Sequence, residues 1–112
     1  MVGSRAVQED LVVWVAFHSK ITDLRVKAFA ERICIDFDVA TGATVSTMVQ
    51  LSLRYGISSH SAHKYTHELI KSGEWNITTM TGTPTTFVPK FLREAQRGGV
   101  TEEPSVAVGS MR

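Results

Sequence analysis

The sequence predicts a mainly α-helical domain with one small β-hairpin, and three observations carry that expectation. Residues 47–71, TMVQLSLRYGISSHSAHKYTHELIK, hold two helical apolar stripes separated by a single glycine. Residues 75–88 hold two runs of strand-forming side chains around Thr81-Gly82-Thr83-Pro84. Residues 23–37 place Val26, Phe29, Ala30, Ile33 and Phe37 on one helical stripe behind Thr22-Asp23, an acceptable N-cap. At 112 residues the chain makes one small domain, near the size at which a single core is just adequate.

The elements follow in chain order. Residues 1–6 lack periodicity and are expected to be disordered. Residues 8–19 are dense with apolar side chains, LVVWVAF; their valines leave helix and strand open, and a short helix is the preferred reading. Because that helix is apolar nearly all round, either it packs wholly under the domain or one face is left for a partner. In residues 23–37 the alternation of Ile33, Ile35, Phe37 and Val39 competes as a strand pattern, but the longer helical match prevails, with an end near Phe37. Thr41-Gly42 is a turn. After Val88, Pro89 closes the second strand, residues 90–96 add a helical turn, and Gly98-Gly99 breaks it. The domain is therefore expected over residues 7–92, with a flexible tail over 93–112.

The central stretch is the most specific. Thr47 and Gln50 have the form of a capping box in front of Met48, Leu51 and Tyr55. Gly56 stops that helix, Ile57 drops between the helices, and Ser58 caps the next one. In the second helix Ala62, Tyr65 and Leu69, flanked by Thr66 and Ile70, form an apolar back. His60, His63, Lys64, His67 and Lys71 form a cationic front. Two helices joined in this way and followed by a hairpin make a winged helix-turn-helix.

From these residues the chain over 40–89 resembles the DNA-binding domain of the GntR family of bacterial transcription regulators. ATGATVSTMVQLSLRYGISSHSAHKYTHELIKSGEW is similar to that family's order of a Gly turn, a capped helix, an R-Y-G-[VI]-S turn, a recognition helix, and a Gly before the first wing strand. GTPTTFV is similar to its G-x-G-T-F-V wing tip, with one extra residue and with Pro84 and Thr85 where a glycine is usual. The resemblance implies a cytoplasmic, nucleoid-associated bacterial protein. The family's recognition helices commonly begin S-R-x-T and carry further arginines; here Ser59, His63 and His67 stand in their place. Serine and neutral histidine give single hydrogen bonds where arginine gives a bidentate fork to guanine. The family's C-terminal effector domain has no room in the remaining residues.

Composition limits the chemistry. Net charge is +1 with the histidines neutral, so affinity for nucleic acid must come from where charges sit. The single cysteine, Cys34, excludes an internal disulfide and reads as a small buried hydrophobe. The apolar run 11–17 is far short of the ~20 residues a membrane span needs, and Glu9 and Asp10 in front of it do not suit a signal peptide. His63 and His67 have the spacing of a helical zinc pair, but Lys64 lies beside them, and His60 to His67 spans about 10.5 Å, too far for one ion. No phosphate loop, nucleophile elbow or catalytic carboxylate pair occurs, so a non-enzyme without metal or cofactor is expected.

The expected partner is double-stranded DNA, bound by the helix 59–71 in the major groove and the 75–88 hairpin as wing. Thr47, Arg54, Ser58, Ser61, Lys71 and Lys90 are candidates for phosphate. Ser59, His60, His63, Lys64 and His67 face the bases or backbone, and Thr81 and Thr83, with Thr85, approach the minor groove. A homodimer through Leu11, Trp14, Val15 and Phe17 would match two half-sites. The rival expectation is a winged helix that binds a protein partner and has little affinity for DNA.

Overall fold

Each of the three central helices begins where the sequence supplies an oxygen for its unpaired amides. The computed structural model describes residues 4–100, ordered α1 (Ser4–His18), α2 (Leu24–Ile35), β1 (Thr44–Ser46), α3 (Met48–Tyr55), α4 (Ser59–Ser72), β2 (Trp75–Thr78), β3 (Thr85–Pro89) and α5 (Leu92–Val100). Asp23 Oδ1 accepts from the amides of Arg25 and Val26 at 2.8 and 3.2 Å. The Thr47–Gln50 capping box forms in both directions, at 3.0 Å each way. Ser58 Oγ accepts from Ser61 N at 3.0 Å. Losing such a cap costs about 1 kcal/mol. Gly56, at φ 68°, takes the left-handed turn that ends α3, and Ile57 N then donates to Ser52 O at 3.0 Å while its side chain packs on the core.

The strands form one antiparallel sheet in the order β1-β3-β2. Thr44 lies opposite Phe87 and Ser46 opposite Thr85, while Trp75 lies opposite Pro89 and Thr78 opposite Thr86. Proline is tolerated at the end of the middle strand because β1 reaches only as far as Phe87, so no neighbour on that side needs its missing N–H. The sequence reading had a turn at Thr41-Gly42 and no strand after it, where β1 lies. Three residues are too few to show a period, yet Thr44 and Ser46 are buried, Val45 points outward, and Thr44 Oγ1 donates to Ile33 O at 2.7 Å. That bond ties the strand to the end of α2.

The core lies between the sheet and the helices. Phe87, at the sheet centre, meets Phe29 of α2 edge-on at 6.5 Å, and Phe29 also touches Tyr55 of α3 and Tyr65 of α4 at 5.8 and 5.7 Å. Leu11, Val15, Ile33, Leu51, Ala62 and Leu69 are among its other members. Burial of each larger apolar side chain contributes about 1.5–3 kcal/mol. Cys34 belongs to this core, and burial pushes its thiol up from the ordinary value, so it packs as a hydrophobe. The strand alternative for residues 33–39 is decided by the pair Ile33 and Cys34. Both are buried while Ile35 is exposed, which a helix allows and an alternating strand does not. α2 stops slightly before the expected end, with Asp36 as its C-cap, and Phe37 enters the core from the following turn.

Both ends of the domain differ from expectation. Residues 4–6, expected to be disordered, open α1; Arg5 pairs with Glu9 at 3.4 Å and Val7 joins the core. Residues 93–100, expected to belong to a tail, form α5 with its start at Leu92, and the helix runs through Gly98 and Gly99. The reason is docking. Ala95 is buried, Trp14 stacks on Phe91 at 4.0 Å, and the Trp14 indole N–H donates to Glu94 Oε2 at 2.7 Å. Residues 1–3 and 101–112, the remainder of the two expected end segments, lie outside the described residues.

One buried carboxylate holds the base of this arrangement. Glu74, between α4 and β2, accepts from Ser19 Oγ at 2.7 Å and from Lys20 N at 2.6 Å. The loop between α1 and α2 is thereby fixed to the end of α4.

Candidate nucleic-acid interface

α4 buries Ala62, Thr66 and Leu69 and leaves Ser59, His60, His63, Lys64 and His67 in solvent. The 3.6-residue period puts these five on the side away from the core. One carboxylate, Glu68, borders that surface one turn beyond Lys64. Glu68, the helix's one acid, is half-buried and meets Lys71 at 3.5 Å. Tyr65 is partly buried as the apolar pattern predicts, whereas Ile70, expected on the apolar back, is 45% exposed.

Beside this face lies an open cleft of about 370 Å³ in which three elements meet. α3 contributes its capping residue Thr47 and Met48, and α4 contributes His63 and Thr66. The hairpin contributes Thr79, Met80, Thr81, Thr83 and Thr85. Thr66 Oγ1 lies 3.7 Å from Met48 Sδ, which closes the inner end. At the hairpin tip, Thr83 N and Oγ1 donate to Met80 O at 3.1 and 3.0 Å, so the turn is held by its own threonine. The whole hairpin, residues 75–89, carries no charged side chain. The cleft offers hydroxyls, one imidazole and two thioethers, a set suited to hydrogen bonding and van der Waals contact.

Of the sequence-predicted residues, the structure brings Thr47, His63, Thr81 and Thr83 together in the cleft and sets Ser59, His60, Lys64 and His67 beside it. Ser58 and Ser61 sit in the first turn of α4, where their hydroxyls are 3.0 Å apart and engaged in the cap. Three residues are elsewhere. Lys90 is five residues beyond Thr85 along the strand, about 16 Å at strand rise, and lies among Trp14, Lys20, Glu74 and Phe91 at the base of the domain. Lys71 faces the loop between α1 and α2. Arg54 Nη1 donates to Asp36 Oδ2 at 2.9 Å, and Tyr55 Oη donates to the same oxygen at 2.7 Å. Asp36 thus competes with any phosphate for Arg54. Burial first, then the bond to Asp36, pushes the Tyr55 hydroxyl well above its usual range. The position of Asp36 at the end of α2, opposite the end of α3, could not be inferred from spacing.

Sequence reasoning also missed Met48, Thr66, Thr79 and Met80 as cleft residues. Met48 and Thr66 fell on apolar stripes and read as core. Met80 is 65% exposed at the hairpin tip, where an apolar residue in a strand run gave no sign of facing solvent.

The contact surface expected at residues 11–17 changes as well. Leu11 and Val15 are buried within the chain and are withdrawn from it. Trp14 is half-buried against Phe91, and Phe17 is 77% exposed. Among the described residues, no helix is long and apolar enough to cross a membrane, and no three His, Cys, Asp or Glu side chains are grouped to hold a metal ion. Comparison of the chain with protein-family models, curated proteins and solved structures finds no match.

Proposed function

We propose that this chain is a winged helix-turn-helix protein that binds double-stranded DNA and acts as a transcription regulator, without catalysis. α4 enters the major groove and the β2–β3 hairpin lies along the adjacent minor groove as the wing. The observation that carries this reading is the exposed outer face of α4, with Lys64 and three histidines and the one acid, Glu68, at its edge and paired with Lys71, set beside a hydroxyl-lined cleft. The order α2, β1, α3, α4, β2, β3 supports it, because the short sheet supplies both the anchor for α3 and the protruding hairpin. The resemblance of residues 40–89 to the GntR DNA-binding domain points the same way, and a bacterial, nucleoid-associated location is part of the proposal.

The chemistry predicts modest affinity. Lys64 supplies one lasting positive charge, Arg54 is shared with Asp36, and the hairpin supplies none. Thr47, Ser61, Thr81 and Thr83 give neutral hydrogen bonds to phosphate and sugar oxygens, which position the domain without adding to the salt dependence. Protonation of His60, His63 and His67 near phosphate strengthens the grip. Retention on immobilised duplex DNA, eluted by salt, tests the reading. Loss of retention in Lys64→Ala supports it, and failure of the parent to bind at low salt counts against it.

The ion pair of Arg54 with Asp36 and the uncharged hairpin favour a second reading, in which the same cleft binds a protein segment. That reading predicts no salt-dependent binding to DNA.

A further inference from the structure

We propose that a second copy of this chain docks in the groove between α1 and α5, forming a two-fold dimer. The inference goes beyond the DNA reading and does not depend on it, because α4 takes no part. One side of α1 buries Leu11 and Val15 in the core, whereas Val13 and Phe17, one turn apart on another side, are 52% and 77% exposed. An apolar stripe on a surface helix, continuous with a groove, marks a contact surface. The groove has a volume of about 510 Å³, with Trp14 and Ala95 among its lining residues. Trp14 is already held, stacked on Phe91 at 4.0 Å and bonded to Glu94 at 2.7 Å, so this wall needs no reordering when a partner arrives.

Charge identifies the occupant. Asp10 lines the groove from α1 and Arg97 from α5, and among the described residues neither forms an ion pair. Burial and the neighbouring Glu9 both push the Asp10 carboxyl up. A groove with one sign of charge would call for a partner of the other sign. This groove carries both signs beside an apolar stripe: Glu94 on α5 is taken up by the Trp14 indole, which leaves Asp10 on α1 and Arg97 on α5 as the charges open to a partner. A two-fold axis pairs the same patch with itself, so Asp10 of each copy meets Arg97 of the other while Val13 and Phe17 enter the facing groove.

Analytical ultracentrifugation of the full chain tests the proposal. The parent is expected to be a dimer at about 50 micromolar, and Phe17→Glu a monomer of unchanged helicity, since Phe17 supports nothing in the core. Asp10→Arg and Arg97→Asp each place like charges in contact and should weaken self-association about tenfold or more. An equimolar mixture of those two variants restores both attractions and should give a heterodimer, identified by its summed mass in native mass spectrometry. No pairing within one chain produces that rescue. A monomeric parent at about 100 micromolar, well above the range of a specific dimer, overturns the proposal. So does a dimer that survives Phe17→Glu, or a mixture that stays monomeric. If residues 101–112 of the same chain fill the groove instead, the parent is a monomer and their deletion produces the dimer, which also overturns it.

Discussion

On α4 the outward positions hold Ser59, His60, His63, Lys64 and His67; on α1 the outward stripe holds Val13 and Phe17, with Asp10 and His18 nearby. Both helices bury one face in the same core and run to similar lengths, 14 and 15 residues. What differs is how each remaining face behaves in water. Hydrated imidazoles and an ammonium are stable in solvent, so the α4 face stays open until an anion replaces its water. Exposed phenylalanine and valine gain by being covered, and the groove beside them is shaped and charged for a like surface. The comparison sets the face proposed for ligand recognition on α4 apart from the face proposed for self-association on α1.

The largest expected effect lies in proton-linked binding at α4. Phosphate beside an imidazole favours its charged form, so affinity should rise as pH falls from about 7.5 to 6, by more than a single histidine could supply. The sign follows from linkage: bound DNA favours the charged imidazole, so binding takes up protons and strengthens toward acid pH. Titrating one duplex at fixed ionic strength, with the His60, His63, His67→Gln variant alongside, checks this. A flat parental profile, or the same slope in both proteins, would remove the histidines from the interface.

Next in size is the salt dependence. Lys64→Ala should lower the log–log slope by about one, the value of one phosphate contact. Lys71→Ala should lower it less, because Lys71 already faces Glu68 and lies toward the end of the helix. Equal effects from the two lysines would mean that the interface extends farther along α4 than the cleft indicates.

The contact that joins α2 to α3 provides a stability test. Tyr55→Phe removes the bond to Asp36 and should cost about 1 kcal/mol in denaturant unfolding. The pH profile carries a sign. The phenol is raised in the folded protein, so its contribution is complete below the unfolded value of 10.0 and is lost as pH rises above it. The variant should therefore lose less stability between about pH 10 and 11 than the parent does. Parallel profiles would contradict the assigned burial.

The smallest effect is expected at the hairpin tip. Met80→Ala should leave the salt slope unchanged and weaken binding only modestly, since a thioether there offers contact without charge. A change in slope would show that the hairpin orders a phosphate contact.

Local chemistry explains what was legible in the sequence. The caps at Asp23, Thr47 and Ser58 and the turn at Gly56 depend on residues within a few positions of one another, and spacing alone located them. The hairpin was legible for the same reason. β1 was not, because a three-residue strand exists only through its pairing with β3, some forty residues later. α5 was missed because Gly98 and Gly99 read as a break, whereas Ala95 and the Trp14–Glu94 bond hold the preceding turns onto α1. In the candidate site, the face of α4 followed from the helical period. Arg54 and Lys90 were misplaced because their surroundings depend on tertiary contacts with Asp36 and with the base of α1.

The most direct test is fluorescence anisotropy of a labelled duplex titrated with the parent and with Lys64→Ala, from about 50 to 200 mM salt. The account predicts that the parent binds with a negative log–log slope and that the variant's slope is shallower by about one at every pH tried. No binding by the parent at low salt, or superimposable lines for the two proteins, would contradict the claim that the outer face of α4 meets DNA.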